Sequence, residues 1–156
     1  MALLIKKTKS ERAIEYPWVL KQVAVLHRGA RVLDVGCCES LLSQKLIAMG
    51  FSCYGIDIRE YPFKNDRMIF IKRNVLDTGL PNEFFDGIIA VSTIEHITLN
   101  PQGESILEDE GDIMAMKELC RILKPGGIIT IPYVTRSNIS QAASYRIYNR
   151  ETYEAY

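Results

Sequence analysis

The chain has 156 residues, of which 47% are hydrophobic, and it balances 19 lysines and arginines against 19 aspartates and glutamates. These values are typical of one ordinary globular domain. Because the formal net charge is zero and no basic run occurs, the electrostatic footprint of a nucleic-acid-binding or anionic-membrane-binding protein is missing. We therefore expect neither nucleic acid nor membrane as a partner.

Apolar stretches in the chain, such as residues 87–91, are only four to five residues long, whereas a membrane-spanning helix needs about 18 or more. The first ten residues place apolar side chains before lysines, which does not match a signal peptide. The cysteines at 37, 38, 53 and 120 form no C-x-x-C pair, so reduced thiols are expected rather than a disulfide or metal framework. These features predict a cytoplasmic protein without a metal site.

Short runs rich in valine and isoleucine alternate with longer amphipathic stretches, a pattern typical of an α/β domain with a parallel sheet. In chain order, we predict a helix over 17–26, a strand over 31–35, a helix over 40–49, strands over 52–56, 67–73 and 85–91, a helix over 112–123, a strand over 128–131 and a final helix over 150–156. Pro17 suits a first helical turn, and Asp112 suits a helix N-cap. No boundary indicates a second domain, so residues 1–156 are predicted to form one domain with a helical segment at 1–29, a core at 30–134 and an incomplete helical segment at 135–156.

The turn that follows the first strand runs from Gly36 to Ser40 and leads directly into a helix. Such a turn at the carboxyl end of a parallel strand typically binds a ligand, the alternative being a tight turn without one. Asp57 comes 21 residues after Gly36, at the end of the second strand, where a carboxylate can accept hydrogen bonds from both hydroxyls of a ribose. The pattern indicates a nucleoside-bearing cofactor, although Asp57 alone could also cap a helix.

The glycine pattern of the turn discriminates between classes of cofactor. A dinucleotide pyrophosphate requires G-x-G-x-x-G, but Cys38 and Leu41 stand where the second and third glycines belong. A nucleotide-dependent oxidoreductase is therefore the less favoured alternative.

Four segments occur in the order LDVGCCES, YGIDI, FFDGIIAVSTIEHI and LKPGGIITIPY. Together they resemble the motifs of class I S-adenosylmethionine-dependent methyltransferases, in particular the small-molecule branch called type 11, and the resemblance runs from about Tyr16 to Tyr156. It implies a Rossmann-like three-layer sandwich with a mostly parallel sheet in the order 3-2-1-4-5. It also implies S-adenosylmethionine as the cofactor and a small-molecule methyl acceptor, for which similarity to polysaccharide and small-metabolite methyltransferases suggests a sugar or metabolite hydroxyl.

The same resemblance implies roles for individual residues. Asp34 would orient the loop, and Asp57 would bind the ribose diol. The other implied cofactor-binding residues are Gly36, Cys37 and Cys38 along the methionine part, Ile58, Val75 and Asn74 near the adenine, with Asp77 as the alternative to Asn74, and Ser92 between the methionine end and the substrate cleft.

Glu95 and His96 follow the fourth strand at the edge where the substrate is expected. A histidine imidazole is a common general base, so His96 is expected to take a proton from an acceptor hydroxyl; the alternative is that the pair only holds the loop by hydrogen bonds. The acidic connection at 98–112 is predicted to be a solvated surface, or else a lid that attracts a cationic substrate.

Cys38 departs from the family pattern, which has glycine there. If this residue needed a positive φ, cysteine would cost about 1 kcal/mol and weaken cofactor binding. The Cys37–Cys38 thiols are expected to be inert fillers, the alternative being reactive thiols at a helix N-terminus. An inactive cofactor-binding or partner-binding relative thus remains an alternative function.

Members of the family normally continue past the fifth strand with a helix and two more strands. The sequence predicts that this domain lacks the last two strands. A second subunit, another partner or a loop would then cover the open edge of the fifth strand, because a bare apolar edge invites pairing.

Overall fold

A computed structural model of the chain describes residues 12–63, 65–97 and 110–131. Its elements are α1 (Arg12–Val23), β1 (Arg31–Val35), a 3₁₀ helix (Cys37–Glu39), α2 (Leu42–Ala48), β2 (Ser52–Asp57), β3 (Met68–Lys72), β4 (Phe85–Ala90), a second 3₁₀ helix (Ile94–His96), α3 (Gly111–Ile122) and β5 (Leu123–Thr130).

The five strands form one parallel sheet in the order β3-β2-β1-β4-β5, which confirms the predicted fold class and strand order. β1 lies at the centre, where Val32 pairs with Cys53 on one side and with Gly87 on the other. Because all strands are parallel, their carboxyl ends share one edge of the sheet. The turns after β1, β2 and β4 therefore meet at that edge.

Helices cover both faces of the sheet. Along β1, Val32 faces the side covered by α1 and α2, whereas Leu33 and Val35 face the side covered by α3. This alternation follows from the two-residue period of a strand, and both sets are apolar because a parallel sheet is buried on both faces. The first core includes Val19, Val23, Leu42, Leu46 and Ile89; the second includes Phe85, Ile88, Ala115, Leu119 and Ile122.

Several element boundaries differ from the predicted ones. α1 begins at Arg12 and not at Pro17, and it ends at Val23. Its buried residues Glu15, Val19 and Val23 are spaced four apart, so packing of this face on the sheet outweighs the lost hydrogen bond at Pro17.

Two further boundaries were predicted wrongly. The residues before α2 form the separate 3₁₀ helix, so α2 begins only at Leu42. β5 begins at Leu123, directly after α3, and pairs Leu123 with Phe85 and Ile128 with Gly87. Residues 124–127, which lie between the predicted helix at 112–123 and the predicted strand at 128–131, thus form an irregular part of β5 and not a separate connection.

Three predictions fall on parts of the chain outside the described residues: the final helix at 150–156, the connection at 98–109 and whatever follows β5. The division of residues 1–156 and the covered edge of β5 stay predictions. Within the part of the chain that the structure describes, no helix is both long enough and apolar enough to cross a lipid bilayer.

Candidate cofactor and substrate site

The turn after β1 is built around Gly36, which has a φ of 73° and donates its N–H to the carbonyl of Ile56 at 2.8 Å. A Cβ at this position would lie 2.4 Å from Oγ1 of Thr93. The Thr93 hydroxyl lies 3.1 Å from the carbonyl oxygen of Val35 and 2.9 Å from that of Val91. Gly36 is therefore required by both its backbone conformation and the close approach of Thr93, a contact that the sequence did not reveal.

Asp34 lies at the end of β1 and is only 2% exposed. The hydroxyl of Ser43 donates to its Oδ2 at 2.6 Å, and that of Ser40 does so at 3.4 Å. Burial raises the pKa of Asp34 to about 6, although these hydrogen bonds act in the opposite direction. Asp34 thus ties β1 to the start of α2 and holds the intervening loop.

Asp57 ends β2 with a carboxylate that receives four hydrogen bonds. Oδ1 accepts from the N–H of Arg59 at 3.0 Å and from its Nε at 3.1 Å. Oδ2 accepts from the N–H of Cys38 at 3.1 Å and from Nη2 of Arg59 at 3.1 Å. Burial alone would raise the pKa of Asp57, but the donors of Arg59 and Cys38 lower it overall. Asp57 therefore connects the turns after β1 and β2, which the sequence predicted to face one ligand. Arg59 also takes part in this connection, although nothing in the sequence pointed to it.

The two cysteines of the turn are buried among these groups. Cys37 packs over β2, where Gly55 leaves it room, since a Cβ at Gly55 would lie 2.8 Å from its Sγ. Sγ of Cys38 lies 3.3 Å from the carbonyl oxygen of Glu60. Burial, with the charge of Asp57 adding to it, raises the pKa of Cys38 to about 11, and burial also raises that of Cys37. Both thiols are therefore protonated at neutral pH, which fits inert fillers and not reactive nucleophiles.

The backbone strain that the sequence suggested at Cys38 is absent. Among the described residues, the non-glycine residues with positive φ are Glu83 and Ser92, and Cys38 belongs to the 3₁₀ helix. The expectation that Cys38 weakens cofactor binding through strain is therefore wrong.

Ser92, just beyond β4, has a φ of 49°. Strained residues of this kind concentrate at functional sites. Near it lies Glu15 of α1, which is 7% exposed and whose Oε2 has no hydrogen-bond partner among the described residues. Burial and then the charge of Glu95 raise the pKa of Glu15, whereas Arg12 and the Ser92 side chain lower it. The only feature of the sequence that distinguishes Glu15 is that an acidic residue stands on the otherwise apolar face of α1.

The residues predicted near the adenine follow β2 and β3, which are neighbours in the sheet. Ile58 is 67% exposed, whereas Val75 is buried in the core. Oδ1 of Asn74 accepts from the N–H of Leu76 at 3.0 Å, and the N–H of Asp77 donates to the Asn74 carbonyl at 3.2 Å. Asn74 and Asp77 therefore share one exposed turn, in which Val75 points inward.

The predicted catalytic pair lies on the 3₁₀ helix after β4. Glu95 is half-buried, and its charge acts on Glu15, whereas His96 is exposed. The N–H of His96 donates to the Thr93 carbonyl at 3.0 Å. No group of three or more potential metal ligands occurs within residues 12–63, 65–97 and 110–131.

Comparison with known proteins gives consistent results. A family model described as a methyltransferase domain matches residues 33–131. The ubiquinone biosynthesis O-methyltransferase of Shewanella sp. (strain ANA-3) is 24% identical over 119 residues, which are 70% of this chain and 45% of that protein. The chain spans about half the length of the curated relatives it matches.

Two solved structures share the fold. Phosphoethanolamine N-methyltransferase 2 of Haemonchus contortus, in complex with S-adenosyl-L-methionine, matches with a TM-score of 0.69 and 19% identity over 91% of this chain and 35% of that one. The 1,6-didemethyltoxoflavin-N1-methyltransferase of Burkholderia thailandensis, with bound S-adenosylhomocysteine, matches with a TM-score of 0.62 and 17% identity over 80% of this chain and 52% of that one. At these identities the likeness shows the fold alone.

Proposed function

The chain belongs to the methyltransferase domain family, type 11, and we propose that it transfers a methyl group from S-adenosylmethionine to a small-molecule acceptor. The observation that carries this proposal is the family match over residues 33–131, which includes the turns after β1, β2 and β4. Those turns bring Gly36, Asp57 and Ser92 to the same edge of the sheet.

The residues present fit this cofactor. The buried Asp57 carboxylate lies at the carboxyl edge of the sheet and is an acceptor suited to a ribose diol. We assign the ribose to Asp57, the methionine part to the backbone at 36–38 and to Ser92, and the adenine to Ile58, Asn74 and the backbone of Val75, whose side chain points inward, with Asp77 as the alternative to Asn74. Asp34 keeps the loop in place through Ser43. When bound, the cofactor supplies a methyl group already activated by a sulfonium.

The protein's contribution is then mainly orientation and exclusion of water. His96, exposed beside the carboxyl edge, is the proposed acceptor of the proton released by the substrate, and the half-buried Glu95 is its proposed partner. An O-methyltransferase among the relatives supports a hydroxyl as the acceptor, and we propose a sugar or metabolite hydroxyl.

A binding experiment tests the cofactor. A ligand at a hundred times its Kd adds about 2.7 kcal/mol to stability, so S-adenosylmethionine and S-adenosylhomocysteine are expected to raise Tm clearly, and NAD is not. A shift with NAD alone would show that the chain is an oxidoreductase-type binder. Binding without turnover on a panel of hydroxyl and amine acceptors would instead identify an inactive cofactor-binding relative.

The proposed base is tested once an acceptor is known. His96→Ala is expected to lower kcat by about 10²-fold or more, the usual contribution of general acid–base catalysis. His27→Ala is the matched control, because His27 is exposed and its Nδ1 lies 3.0 Å from the neighbouring Arg28 carbonyl. Equal kcat values for the two variants would remove His96 from the mechanism.

A further inference from the structure

The carboxylate of Asp57 has no hydrogen-bonding capacity left. A carboxylate offers about four acceptor positions, two on each oxygen, and here each oxygen accepts one backbone N–H and one guanidinium N–H. A ribose diol that donates both hydroxyls needs two of these four positions. Cofactor binding at Asp57 therefore requires two of the present donors to leave.

The four donors differ in how readily they can leave. The N–H groups of Cys38 and Arg59 belong to the backbone of the two turns, so moving them would rebuild the site. The guanidinium of Arg59 is at the end of a flexible side chain that is 51% exposed, whereas the side chain of Asp57 is 4% exposed. An ion pair with one solvated partner contributes little to stability, so the two guanidinium N–H groups are the donors that can be exchanged.

We propose that the Arg59 guanidinium occupies the two positions on Asp57 that the cofactor's ribose diol takes, so that Arg59 swings away on binding and lowers the affinity for the cofactor. This inference rests on the proposed function, because it assumes a ribose at Asp57. The exchange is matched in geometry, since a bidentate guanidinium is replaced by a bidentate diol. In the absence of cofactor, the Arg59 guanidinium fills the two acceptor positions of Asp57 that the backbone donors leave open.

Calorimetric titration with S-adenosylhomocysteine tests this role. Arg59→Met keeps the aliphatic stem but removes the guanidinium donors, while both backbone donors to Asp57 remain. We expect the variant to bind S-adenosylhomocysteine about two- to fivefold more tightly than the wild type, because this factor corresponds to the free energy of an exposed ion pair. Arg67→Met is the matched control: it removes the same charge from an exposed residue near the amino end of β3, and its affinity is expected to equal that of the wild type.

A second ligand separates exchange from a merely structural role. The 2′,3′-dideoxy analogue of S-adenosylhomocysteine has no diol and does not need the positions held by Arg59. Its affinity is therefore expected to be the same for the wild type and Arg59→Met, whereas a general effect on the shape of the site would change both ligands alike.

The outcomes separate this inference from the proposed function. If S-adenosylhomocysteine binds the wild type and Arg59→Met binds it equally or more weakly, with an unchanged Tm of the free protein, the role of Arg59 is wrong and the proposed function stands. If the gain appears for the dideoxy analogue as well, the exchange is also wrong. If neither protein binds S-adenosylhomocysteine, the proposed function fails and the inference fails with it.

Discussion

At the scale of single residues, the site depends on close packing. One position has no room for a side chain, and another buries an acid. Gly36 combines a left-handed φ with a position against Thr93, and Asp34 places an acid in the core, where two hydroxyls hold it. A side chain at position 36 would be costly, and at Asp34 the two hydroxyls offset part of the cost of burying the acid. Two substitutions measure those costs.

Gly36→Ala is expected to destabilise the protein more than Gly29→Ala. Both positions have positive φ, at 73° and 83°, so each variant pays about 1 kcal/mol for the backbone. At Gly29 a Cβ meets nothing within 4 Å, whereas at Gly36 it would lie 2.4 Å from Thr93, which adds roughly 1–3 kcal/mol of overpacking. Urea unfolding of both variants measures the difference, and equal losses would show that Thr93 moves away freely.

Asp34→Asn is expected to remove part of the pH dependence of stability. The folded pKa of about 6 lies above the unfolded value of about 3.9, so the contribution of Asp34 is fully present below pH 4 and is lost as the pH rises through 6. Relative to the variant, the wild type should lose on the order of 2–3 kcal/mol between pH 4 and pH 7.5. Urea unfolding at both pH values gives this difference. A constant difference would mean that Asp34 keeps an ordinary pKa, and Asp77→Asn, on the exposed turn after β3, is the control.

At the scale of elements, Asp86 connects three strands. It lies on β4, accepts the backbone N–H of Arg31 on β1 at 2.8 Å, and forms an ion pair with Lys124 on β5. Burial alone would raise the pKa of Asp86, but the Lys124 ammonium and the Arg31 N–H lower it overall. The pair therefore holds the irregular start of β5 against the rest of the sheet.

Asp86→Asn is expected to cost about 1 kcal/mol at pH 7, since the amide loses the charged hydrogen bond and Lys124 is partly solvated. Because the folded pKa lies below the unfolded one, this contribution is present above about pH 4 and is lost as the pH falls through the folded value. Chemical unfolding at pH 7 and pH 2.5 should therefore show a smaller cost in acid than at pH 7. A cost that is the same at both pH values would assign the effect to packing.

At the scale of the whole molecule, the sheet divides the chain into a central and a peripheral part. β1 pairs on both sides and is covered on both faces, whereas β3 is an edge strand that pairs only with β2 among the described elements. The proposed cofactor contacts lie at or near the carboxyl edge, so the central strands position the loops that are proposed to bind the cofactor.

Native-state hydrogen exchange is expected to reflect this division. Amides of β1 and β4 should exchange only through global unfolding, because their hydrogen bonds are buried between other strands, and amides of β3 should exchange through local opening at a lower free energy. Mass spectrometry or NMR over a denaturant series measures both. Equal protection of β3 and β1 would indicate that another part of the chain or a partner covers the outer edge of β3.

The sequence by itself determined the alternation of strands and helices, the parallel sheet and the family. These follow from local apolar periodicity and from motifs such as the turn at 36–40, which depend on residues close together in the chain. β1 was predicted with its observed bounds, 31–35, because a short β-branched strand between a helix and a glycine turn has few alternatives.

Only the tertiary structure decided which groups meet at the carboxyl edge. Thr93 closes on Gly36, Arg59 covers Asp57, and Glu15 is buried near Ser92. The motif that contains Thr93 does not show its contact with Gly36, and no motif includes Arg59 or Glu15. The physical reason is that packing and hydrogen-bond satisfaction act between residues that are distant in the chain or whose rotamers the sequence leaves open. The strain expected at Cys38 is absent because this residue lies in the 3₁₀ helix with an ordinary conformation, where its N–H donates to the distant Asp57.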